Sequence, residues 1–517
     1  MPASACRPSS PAPNPRSWVG RGRTVGTAPT SDEDQTEAEI YDVIVIGAGA
    51  VGENVADRAV QGGLSVLIVE AELVGGECSY WACMPSKALL RSASVLRAAH
   101  AVGGAREAVT GTLDAAAVLA RRDTFTSHWD DAGQVRWLEK AGIALARGRA
   151  RLDGERRVII TGDDGDQRTV LARHAVALCT GSEAAVPPLD GLAEARPWTS
   201  REITSTETVP DRLAIIGGGV VGCEMATAFT SLGSRVTLLS RGRLLSGVEQ
   251  FAGDAVTERL RADGAEVLIG TTPERVDRLA DGTVRLALPE GRELVVDEVV
   301  VATGRRAGTR DLGLETVGLT PGEWIDVDDT LRALDADGRA SEWLYAVGDI
   351  NHRALLTHQG KYQARAAGDA MAARASGASR QEAPWGAHVA TADHAAVPQV
   401  TFTAPEVASV GLTLAEATGR GLRVRAVDYE LGYVAGASVH ADDYRGTARM
   451  VVDEDRHVIV GFTIVGDDVA ELLHAATIAV VGEVPLDRLW HAVPSYPTMS
   501  EIWLRLLEQY GRVSATG

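Results

Sequence analysis

Two segments of the sequence share one pattern, an apolar strand that runs into a glycine-rich turn and then into a helical repeat. The first is YDVIVIGAGAVGENVADRAV, from residue 41, and the second is RLAIIGGGVVGCEMATAFTSLG, from residue 212. Their starts lie about 170 residues apart, which is too far for a single strand-helix-strand unit. The sequence therefore predicts two separate nucleotide-binding domains of the α/β class.

Length and charge narrow the choice of partners. The 517 residues suffice for three or four domains of roughly 150 residues each. A formal net charge of -19 argues against binding to nucleic acid. We find no apolar run near the roughly 18 residues needed to cross a bilayer, and no secretory signal. We expect a soluble cytoplasmic protein without a nucleic-acid or membrane partner.

The first turn contains Gly47, Gly49 and Gly52 in the spacing GxGxxG. Such a turn lets a pyrophosphate approach the backbone at a helix N-terminus, where amide donors and the helix dipole favour an anion. The next strand, SVLIVE, ends in Glu70, eighteen residues after Gly52. Because a carboxylate there accepts hydrogen bonds from a ribose diol, this unit predicts a dinucleotide site, with a purely structural turn as the alternative.

The second turn repeats this spacing with Gly217, Gly219 and Gly222. Its next strand ends in Ser240, so no acid stands where the first unit has Glu70. Arg241 and Arg243 follow directly. A neutral side chain beside two arginines suits a 2′-phosphate, which predicts a preference for NADPH over NADH. The alternative is that both are surface arginines in a chain with 48 arginines.

Between the two turns lies GGECSYWACMPSK, residues 75–87, with Cys78 and Cys83 five positions apart. The chain has five cysteines and only three lysines, so Lys87 beside the pair is unusual within this sequence. At a loop-to-helix junction this step can bring two Cβ atoms within the roughly 4 Å that a disulfide needs. A zinc site fits poorly because no second ligand pair has matching spacing, and a structural pair is the other alternative. We favour a redox pair without a metal.

The order of the motifs resembles a known family. It comprises GxGxxG with its glutamate, GGECSYWACMPSK, the second GxGxxG, VVVATGRR, LYAVGD and the C-terminal YPTMSE. From about residue 41 to 510 the chain resembles the class I pyridine nucleotide-disulfide oxidoreductases, the FAD-dependent family of dihydrolipoamide dehydrogenase, glutathione reductase and mercuric reductase. The resemblance implies an α/β fold with two Rossmann-like domains, a C-terminal α+β dimerisation domain and a homodimer.

The resemblance also divides the chain. It implies an FAD-binding domain in two parts, residues 41–190 and 306–387, with an NAD(P)H-binding domain inserted at 191–305 and the dimerisation domain at 388–517. Residues 1–40 are rich in Pro, Ser, Ala and Arg and can bury little apolar surface. We therefore expect them to form a disordered tail.

Site residues are implied position by position. The residues implied to bind FAD and NADP, with NAD less favoured, are Gly47, Gly49, Gly52, Glu70, Lys87, Thr180, Gly181, Ser182, Gly217, Gly219, Gly222, Arg241, Arg243, Gly304, Gly348 and Asp349. Cys83 resembles the cysteine that lies against the flavin, and Cys78 the one that meets the substrate. Lys87 and Glu224 resemble the ion pair beside the flavin. The other implied catalytic residues are Tyr496 and Glu501.

The C-terminal motif departs from that of the disulfide-reducing members, in which a histidine from the partner chain serves as acid and base. Here the histidine position holds Tyr496, and Glu501 is retained. A phenol with a pKa near 10 donates a proton at neutral pH but does not accept one. Tyr496 is therefore either a proton donor or a packing residue at a dimer interface. Tyrosine also occurs there in mercuric reductases, but this sequence ends in EQYGRVSATG, without their C-terminal cysteine pair.

These features predict an FAD enzyme that passes electrons from NADPH through FAD to the Cys78–Cys83 disulfide and on to a small disulfide or other sulfur-containing acceptor. One alternative is a diaphorase-type reductase that passes electrons to quinones directly from FAD, and another is a mercuric-reductase-like enzyme. A non-catalytic FAD-binding subunit is a third, from a different class. The natural acceptor has no motif in the sequence.

Overall fold

The structure is a computed structural model that describes residues 39–512. Most of the predicted tail, residues 1–38, lies outside this range, as do residues 513–517. Glu39 and Ile40 already belong to the first strand. The first folded element therefore begins two residues before the predicted end of the tail.

The first nucleotide-binding unit is built around a buried parallel strand. Val43, Ile44 and Val45 have no exposed surface, as expected for a continuous apolar strand covered on both faces. In chain order the elements are β1 (Glu39–Ile46), α1 (Ala50–Gln61), β2 (Val66–Glu70), α2 (Gly76–Tyr80), α3 (Cys83–His100), α4 (Ala115–Phe125), α5 (Ala132–Ala141), β3 (Ala144–Arg147), β4 (Arg149–Leu152), β5 (Arg157–Thr161), β6 (Gln167–Leu178) and β7 (Ser182–Ala184). Strands β6, β1, β2 and β3 are parallel neighbours in that order, and β4 and β5 form an antiparallel extension of β6.

The second nucleotide-binding unit repeats the parallel arrangement on a smaller scale. Its elements are α6 (Ser200–Ser205), β8 (Arg212–Ile216), α7 (Val220–Ser231), β9 (Arg235–Ser240), α8 (Gln250–Ala262), β10 (Glu266–Ile269), β11 (Arg275–Arg278), β12 (Val284–Ala287), β13 (Glu293–Val296), β14 (Glu298–Val301) and β15 (Arg305–Ala307). The parallel sheet has the order β10-β9-β8-β14, and β11, β12 and β13 form an antiparallel sheet. The antiparallel pair of β7 with β15 brings the two ends of this insertion side by side.

The chain then returns to the first sheet. Strand β16 (Arg332–Leu334) pairs with β17 (Ala340–Ala346), and β17 lies parallel to β6. Helix α9 (Thr357–Ser376) follows and packs against α1. Both of these interactions join residues after 306 to the first unit.

An antiparallel sheet forms the C-terminal domain. Its elements are α10 (Ala392–Ala395), β18 (Gln399–Thr401), β19 (Glu406–Gly411), α11 (Leu414–Gly419), β20 (Val424–Glu430), α12 (Ala435–His440), β21 (Gly446–Asp453), β22 (Val458–Gly466), α13 (Leu473–Val481), α14 (Leu486–Leu489) and α15 (Glu501–Tyr510). The strand order is β18-β19-β22-β21-β20. The predicted fold class, two α/β nucleotide-binding domains followed by an α+β domain, is confirmed.

The predicted site residues collect where parallel strands end. Gly47 follows β1 directly, Glu70 ends β2, and Gly348 lies two residues after the end of β17. Parallel strands of one sheet end at the same edge, which is where α/β folds bind their ligands. None of the helices in the described residues is long and apolar enough to span a membrane.

Candidate active site

The cysteine pair lies where two helices meet. Cys78 is in the short helix α2, Cys83 is the first residue of α3, and both are free thiols in this structure. The Cys83 Sγ lies 3.2 Å from the Thr357 Oγ1, at the first residue of α9. The described residues contain no group of three or more His, Cys, Asp or Glu side chains that could hold a metal ion.

The two thiols have opposite pKa shifts. The hydrogen bond from the Cys78 thiol lowers the pKa of Cys83, and Thr357 and the Lys87 charge act in the same direction against the effect of burial. The same hydrogen bond to Cys83, together with burial, raises the pKa of Cys78. Placement of Cys83 at a helix N-terminus also favours its thiolate. The arrangement therefore favours a proton on Cys78 and a thiolate at Cys83.

Lys87 lies one helical turn after Cys83, and its partly exposed side chain forms an ion pair with the buried Glu224 of α7. The Lys87 Nζ is 2.7 Å from the Glu224 Oε2, and the Glu224 side chain is only 3% exposed. The Phe402 N–H donates to the other carboxylate oxygen at 3.0 Å. The contacts connect the first unit, the second unit and the residue after β18, so this pair holds three parts of the chain together at the thiols.

The first glycine turn has no room for side chains. Gly47 has a φ of +99°, and a Cβ there would lie 2.6 Å from the Cys179 carbonyl oxygen. A Cβ at Gly52 would lie 1.9 Å from the Gly47 carbonyl oxygen. The Ala48 N–H donates to the Glu70 Oε2 at 2.7 Å, so the strand-end carboxylate is fixed at the turn. Burial raises the pKa of Glu70, in spite of its hydrogen bonds from backbone N–H groups.

The second turn has the same close contacts. Gly217 has a φ of +127°, and a Cβ at Gly222 would lie 1.9 Å from the Gly217 carbonyl oxygen. Ser240 is buried at the end of β9, and Arg241 after it is exposed. Arg243 instead donates to backbone carbonyl oxygens of its own loop, at 3.3, 2.7 and 2.8 Å. The Arg243 guanidinium is therefore held by its own loop, whereas Arg241 lies at the surface.

The other predicted cofactor residues form a connected group. The Ser182 Oγ donates to the Asp349 Oδ2 at 2.6 Å, and the Arg305 Nε donates to the Ser182 Oγ at 2.5 Å. Burial raises the pKa of Asp349, which Ser182 and the Arg305 charge oppose. The Thr180 Oγ1 donates to the Gly308 carbonyl oxygen at 2.7 Å. The remaining predicted positions, all glycines with positive φ, are Gly181, Gly304 and Gly348.

These glycines and buried polar groups fit the two implied cofactors. Each turn brings bare backbone to the N-terminus of a long helix, α1 after Gly49 and α7 after Gly219. A dinucleotide pyrophosphate needs that close approach. The partly buried carboxyls of Glu70 and Asp349 lie where the strands of the first sheet end, and carboxylate oxygens can accept hydrogen bonds from sugar hydroxyls.

The structure does not bring Tyr496 to the thiols by a hydrogen bond within the described residues. Its side chain is 76% exposed, and it lies just before α15. Glu501 at the start of α15 is buried, and its Oε2 has no hydrogen-bond partner among the described residues. The two predicted C-terminal residues are thus presented very differently, one to solvent and the other to the interior.

Sequence reasoning missed Thr357 and Phe402. It also missed Lys361, whose charge lowers the pKa of Cys78, and Glu53, whose pKa the same charge lowers. Thr357 and Phe402 lie in no recognisable motif, so nothing in the sequence identified them. Lys361 did have a signal, since it is one of only three lysines. Glu53 follows the GxGxxG turn directly, in the first turn of α1.

Comparison with known proteins gives a consistent picture. Residues 41–375 match the family described as pyridine nucleotide-disulphide oxidoreductase, and residues 397–506 match the dimerisation domain of that family. A mercuric reductase of Acidithiobacillus ferrooxidans is 33% identical over 92% of this chain and 84% of its own length. A dihydrolipoyl dehydrogenase of Chlamydia muridarum is 29% identical over 90% of this chain and 96% of its own.

A solved structure has a similar fold. The Cu(II) complex of the HOCl-induced flavoprotein disulfide reductase RclA from Escherichia coli superimposes with a TM-score of 0.77. It covers 91% of this chain and 99% of its own, with 22% sequence identity. At that identity the likeness speaks for the fold alone.

Proposed function

The chain belongs to the family of pyridine nucleotide-disulphide oxidoreductases, and from that membership we propose that it is an NADPH-dependent reductase of a disulfide or another sulfur-containing acceptor. Members of this family use FAD and NAD(P)H. The chemistry that bound FAD supplies is two-electron transfer from the reduced nicotinamide to a redox disulfide. What we propose beyond the family's chemistry is the preference for NADPH over NADH, the class of acceptor and the role of each residue.

The unequal sharing of a proton by the two thiols carries the proposal. The helix N-terminus, the Thr357 hydroxyl and the Lys87 charge all favour a thiolate at Cys83. Cys78 keeps the proton until it meets the acceptor. This division gives Cys83 the internal role in the pair and Cys78 the role of contact with the acceptor.

The thiol steps balance without any further reductant. The Cys78 sulfur, after losing its proton, attacks one sulfur of the acceptor disulfide, whose S–S bond breaks and releases one thiolate. The Cys83 thiolate then attacks the Cys78 sulfur, which re-forms the protein disulfide and releases the second thiolate. Both released thiolates take protons from water, and the electron pair comes from NADPH through FAD.

The cofactor-binding residues are proposed on the same basis. Gly47, Gly49 and Gly52 with Glu70 would hold the adenosine diphosphate part of FAD, with Asp349 on its other part. The second turn would hold the nicotinamide dinucleotide, with Arg241 at a 2′-phosphate. The fixed Glu70 carboxylate and the exposed Arg241 support this division.

We also propose a cytoplasmic homodimer. Exposed apolar side chains of the C-terminal domain support it, as does the match to the dimerisation domain. These side chains are Tyr433, Val439, Ile478, Val481, Val493 and Tyr496. In a dimer Tyr496 would face the partner, where its phenol serves as a proton donor. A Tyr496→Phe variant should then lose about tenfold in turnover with a disulfide, and undiminished turnover would leave Tyr496 a packing residue.

The decisive experiment removes one thiol and compares acceptors. Wild type and Cys78→Ser are assayed with NADPH and either an aromatic disulfide that releases a coloured thiolate or a quinone. We expect Cys78→Ser to lose at least about a hundredfold with the disulfide and to retain quinone reduction. Cys6→Ser, outside the described residues, is the matched control.

The other outcomes separate the alternatives. Wild-type disulfide turnover by Cys78→Ser would refute the thiol route. Loss of quinone reduction as well would exclude direct transfer from FAD. Because relatives such as the mercuric reductase of Shigella flexneri are 33% identical, Hg²⁺ with excess free thiol is included as a third acceptor. A wild-type rate with Hg²⁺ far above that with any disulfide would favour reduction of a soft metal ion instead.

A further inference from the structure

The chain has three lysines, and two of them belong to the region of the thiols. Lys87 pairs with Glu224 beside Cys83. Lys361 lies in α9, four residues after Thr357. Residues four apart share one face of a helix, and Thr357 is the residue whose hydroxyl contacts the Cys83 sulfur at 3.2 Å. Lys361 is therefore on the side of α9 that faces the thiols.

The position of Lys361 is fixed by close packing of the N-terminal turn of α1 against α9 and α2. A Cβ at Gly360, the neighbour of Lys361, would lie 2.6 Å from a Val51 methyl carbon of α1. A Cβ at Gly76, the first residue of α2, would lie 2.8 Å from the Gly49 Cα. The first turn of α1 is thus pressed against both α9 and the helix that carries Cys78. A side chain in that first turn shares the environment of Lys361.

Glu53 is that side chain. Its Oε1 is buried and has no hydrogen-bond partner among the described residues. Burial raises the pKa of Glu53 to about 7, and the Lys361 charge opposes that shift. The Lys361 charge also lowers the pKa of Cys78. One ammonium thus acts on both the buried carboxyl and the thiol that meets the acceptor.

Ionisation of Cys78 is the costly step of the proposed function. The neighbouring Cys83 thiolate disfavours a second negative charge, and residue 496 is a tyrosine rather than a histidine that could accept the proton. An opposite charge near a thiolate lowers its pKa, by about one to three units when it is within a few ångströms. A cation that faces Cys78 within the same chain supplies part of what the missing histidine supplies elsewhere.

We propose that Lys361 is a positioning residue whose ammonium stabilises the Cys78 thiolate, and that Glu53 is its counter-charge. The inference rests on the proposed role of Cys78. In the step concerned, the Cys78 S–H bond breaks, its proton passes to water, and the thiolate then attacks the acceptor sulfur as described above. Lys361 and Glu53 keep their own bonds throughout and act only through their charges.

The groups that face these side chains come from four elements. Those that act on Cys78 are Cys83 on α3 and, on α9, Thr357 and Lys361. Besides Lys361, the group that acts on Glu53 is Glu70 at the end of β2, and the Glu53 charge in turn raises the pKa of Tyr80 on α2. Lys361 is the one cation in both groups. Removing it should therefore change the ionisation of Cys78 in one direction only, toward a higher pKa.

The test measures thiol ionisation rather than turnover. The FAD-loaded, NADPH-reduced enzyme is alkylated with iodoacetamide across a pH series, and tandem mass spectrometry separates modification of Cys78 from that of Cys83. In Lys361→Met we expect about tenfold slower Cys78 alkylation at pH 7, which corresponds to a rise of about one pKa unit. Lys361→Arg should keep the rate within about threefold. Lys140→Met, an exposed lysine of α5, is the matched control and should match wild type.

Glu53→Gln gives the opposite sign. Loss of the counter-charge should make Cys78 alkylation faster above neutral pH, where Glu53, with its pKa raised to about 7, is mostly ionised in wild type. An unchanged Cys78 profile in Lys361→Met, or slower alkylation in Glu53→Gln, would overturn the proposal. If Lys361→Met fails to retain FAD, Lys361→Gln is measured in its place. The alkylation profile needs no acceptor. This inference can therefore fail while the Cys78→Ser result supports the proposed function, and it can hold while that result contradicts the proposed function.

Discussion

The two glycine turns have nearly the same backbone and different strand ends. In both, the third glycine lies so close to the first that a Cβ would be 1.9 Å from its carbonyl oxygen. At the end of the next strand, however, the first unit has a carboxylate bound to the turn, and the second has the buried Ser240. The comparison supports the proposal that each turn holds a pyrophosphate and that the strand end selects between the two dinucleotides.

The largest effects should come from filling either turn. Gly52→Ala and Gly222→Ala each add a Cβ 1.9 Å from a carbonyl oxygen, which forces the turn open at a cost of about 1–3 kcal/mol or more. We expect Gly52→Ala to retain less than about a tenth of its FAD, as judged from visible absorbance. Gly222→Ala should keep its FAD and show a KM for NADPH raised at least about tenfold.

The matched control is Gly133→Ala, since a Cβ at Gly133 meets nothing within 4 Å. It should retain FAD and the wild-type KM. If both turn variants lost FAD equally, the assignment of one cofactor to each turn would be wrong.

A second, smaller effect should come from the first strand end. Glu70→Ala removes the acceptor of the Ala48 N–H bond at 2.7 Å. Because hydrogen bonds to charged groups contribute about 1.5–3 kcal/mol, we expect FAD affinity to fall by tenfold or more in a titration followed by fluorescence. Ser240→Ala at the equivalent position should leave FAD affinity unchanged. An equal loss in both would remove the proposed difference between the two strand ends.

The arginines after Ser240 sharpen the comparison further. Arg241→Ala should lower the ratio of kcat/KM for NADPH over NADH by about tenfold, because a charged partner of the 2′-phosphate is lost. Arg243→Ala should leave that ratio unchanged and lower the free energy of unfolding by about 1–2 kcal/mol, since its guanidinium binds three loop carbonyls. The reverse result, with discrimination lost only in Arg243→Ala, would contradict the assignment.

The smallest effect concerns pH. Burial raises the pKa of Glu70, so this carboxyl takes up a proton at a higher pH than an exposed glutamate, whose pKa is about 4.3. As the pH falls from neutral, the ionised acceptor is lost early and FAD affinity should decrease. Glu70→Gln cannot titrate, so its FAD affinity should change less over the same range. A decrease of the same size in Glu70→Gln would assign the effect to another group.

Several parts of this architecture could be predicted from local sequence. The run before Gly47 is apolar throughout and becomes a fully buried parallel strand. Gly47 and Gly217 have φ values of +99° and +127°, which only glycine adopts without strain. Cys83 begins a helix, as the cysteine motif before a lysine-containing helical pattern suggested.

Other contacts could not be predicted, because their partners are far apart in the chain. Thr357 contacts a thiol 274 positions away, and Phe402 donates to a carboxylate 178 positions away. Arg241 and Arg243 look equivalent in sequence, but one is exposed and the other binds its own loop. The first folded element also began before the predicted boundary, because Glu39 pairs with β6 beyond the apolar core of β1.

The sequence by itself determined the two dinucleotide turns, the cysteine pair and the family, because each rests on the residue types that a local backbone or a local reaction requires. Only the tertiary structure decided which charge acts on which thiol. Lys87 acts on Cys83 and forms an ion pair with the buried Glu224, whereas Lys361 acts on Cys78 and lowers the pKa of Glu53. Electrostatic effects depend on distance and burial, which are set by the packing of α1, α3, α7 and α9 and not by spacing along the chain.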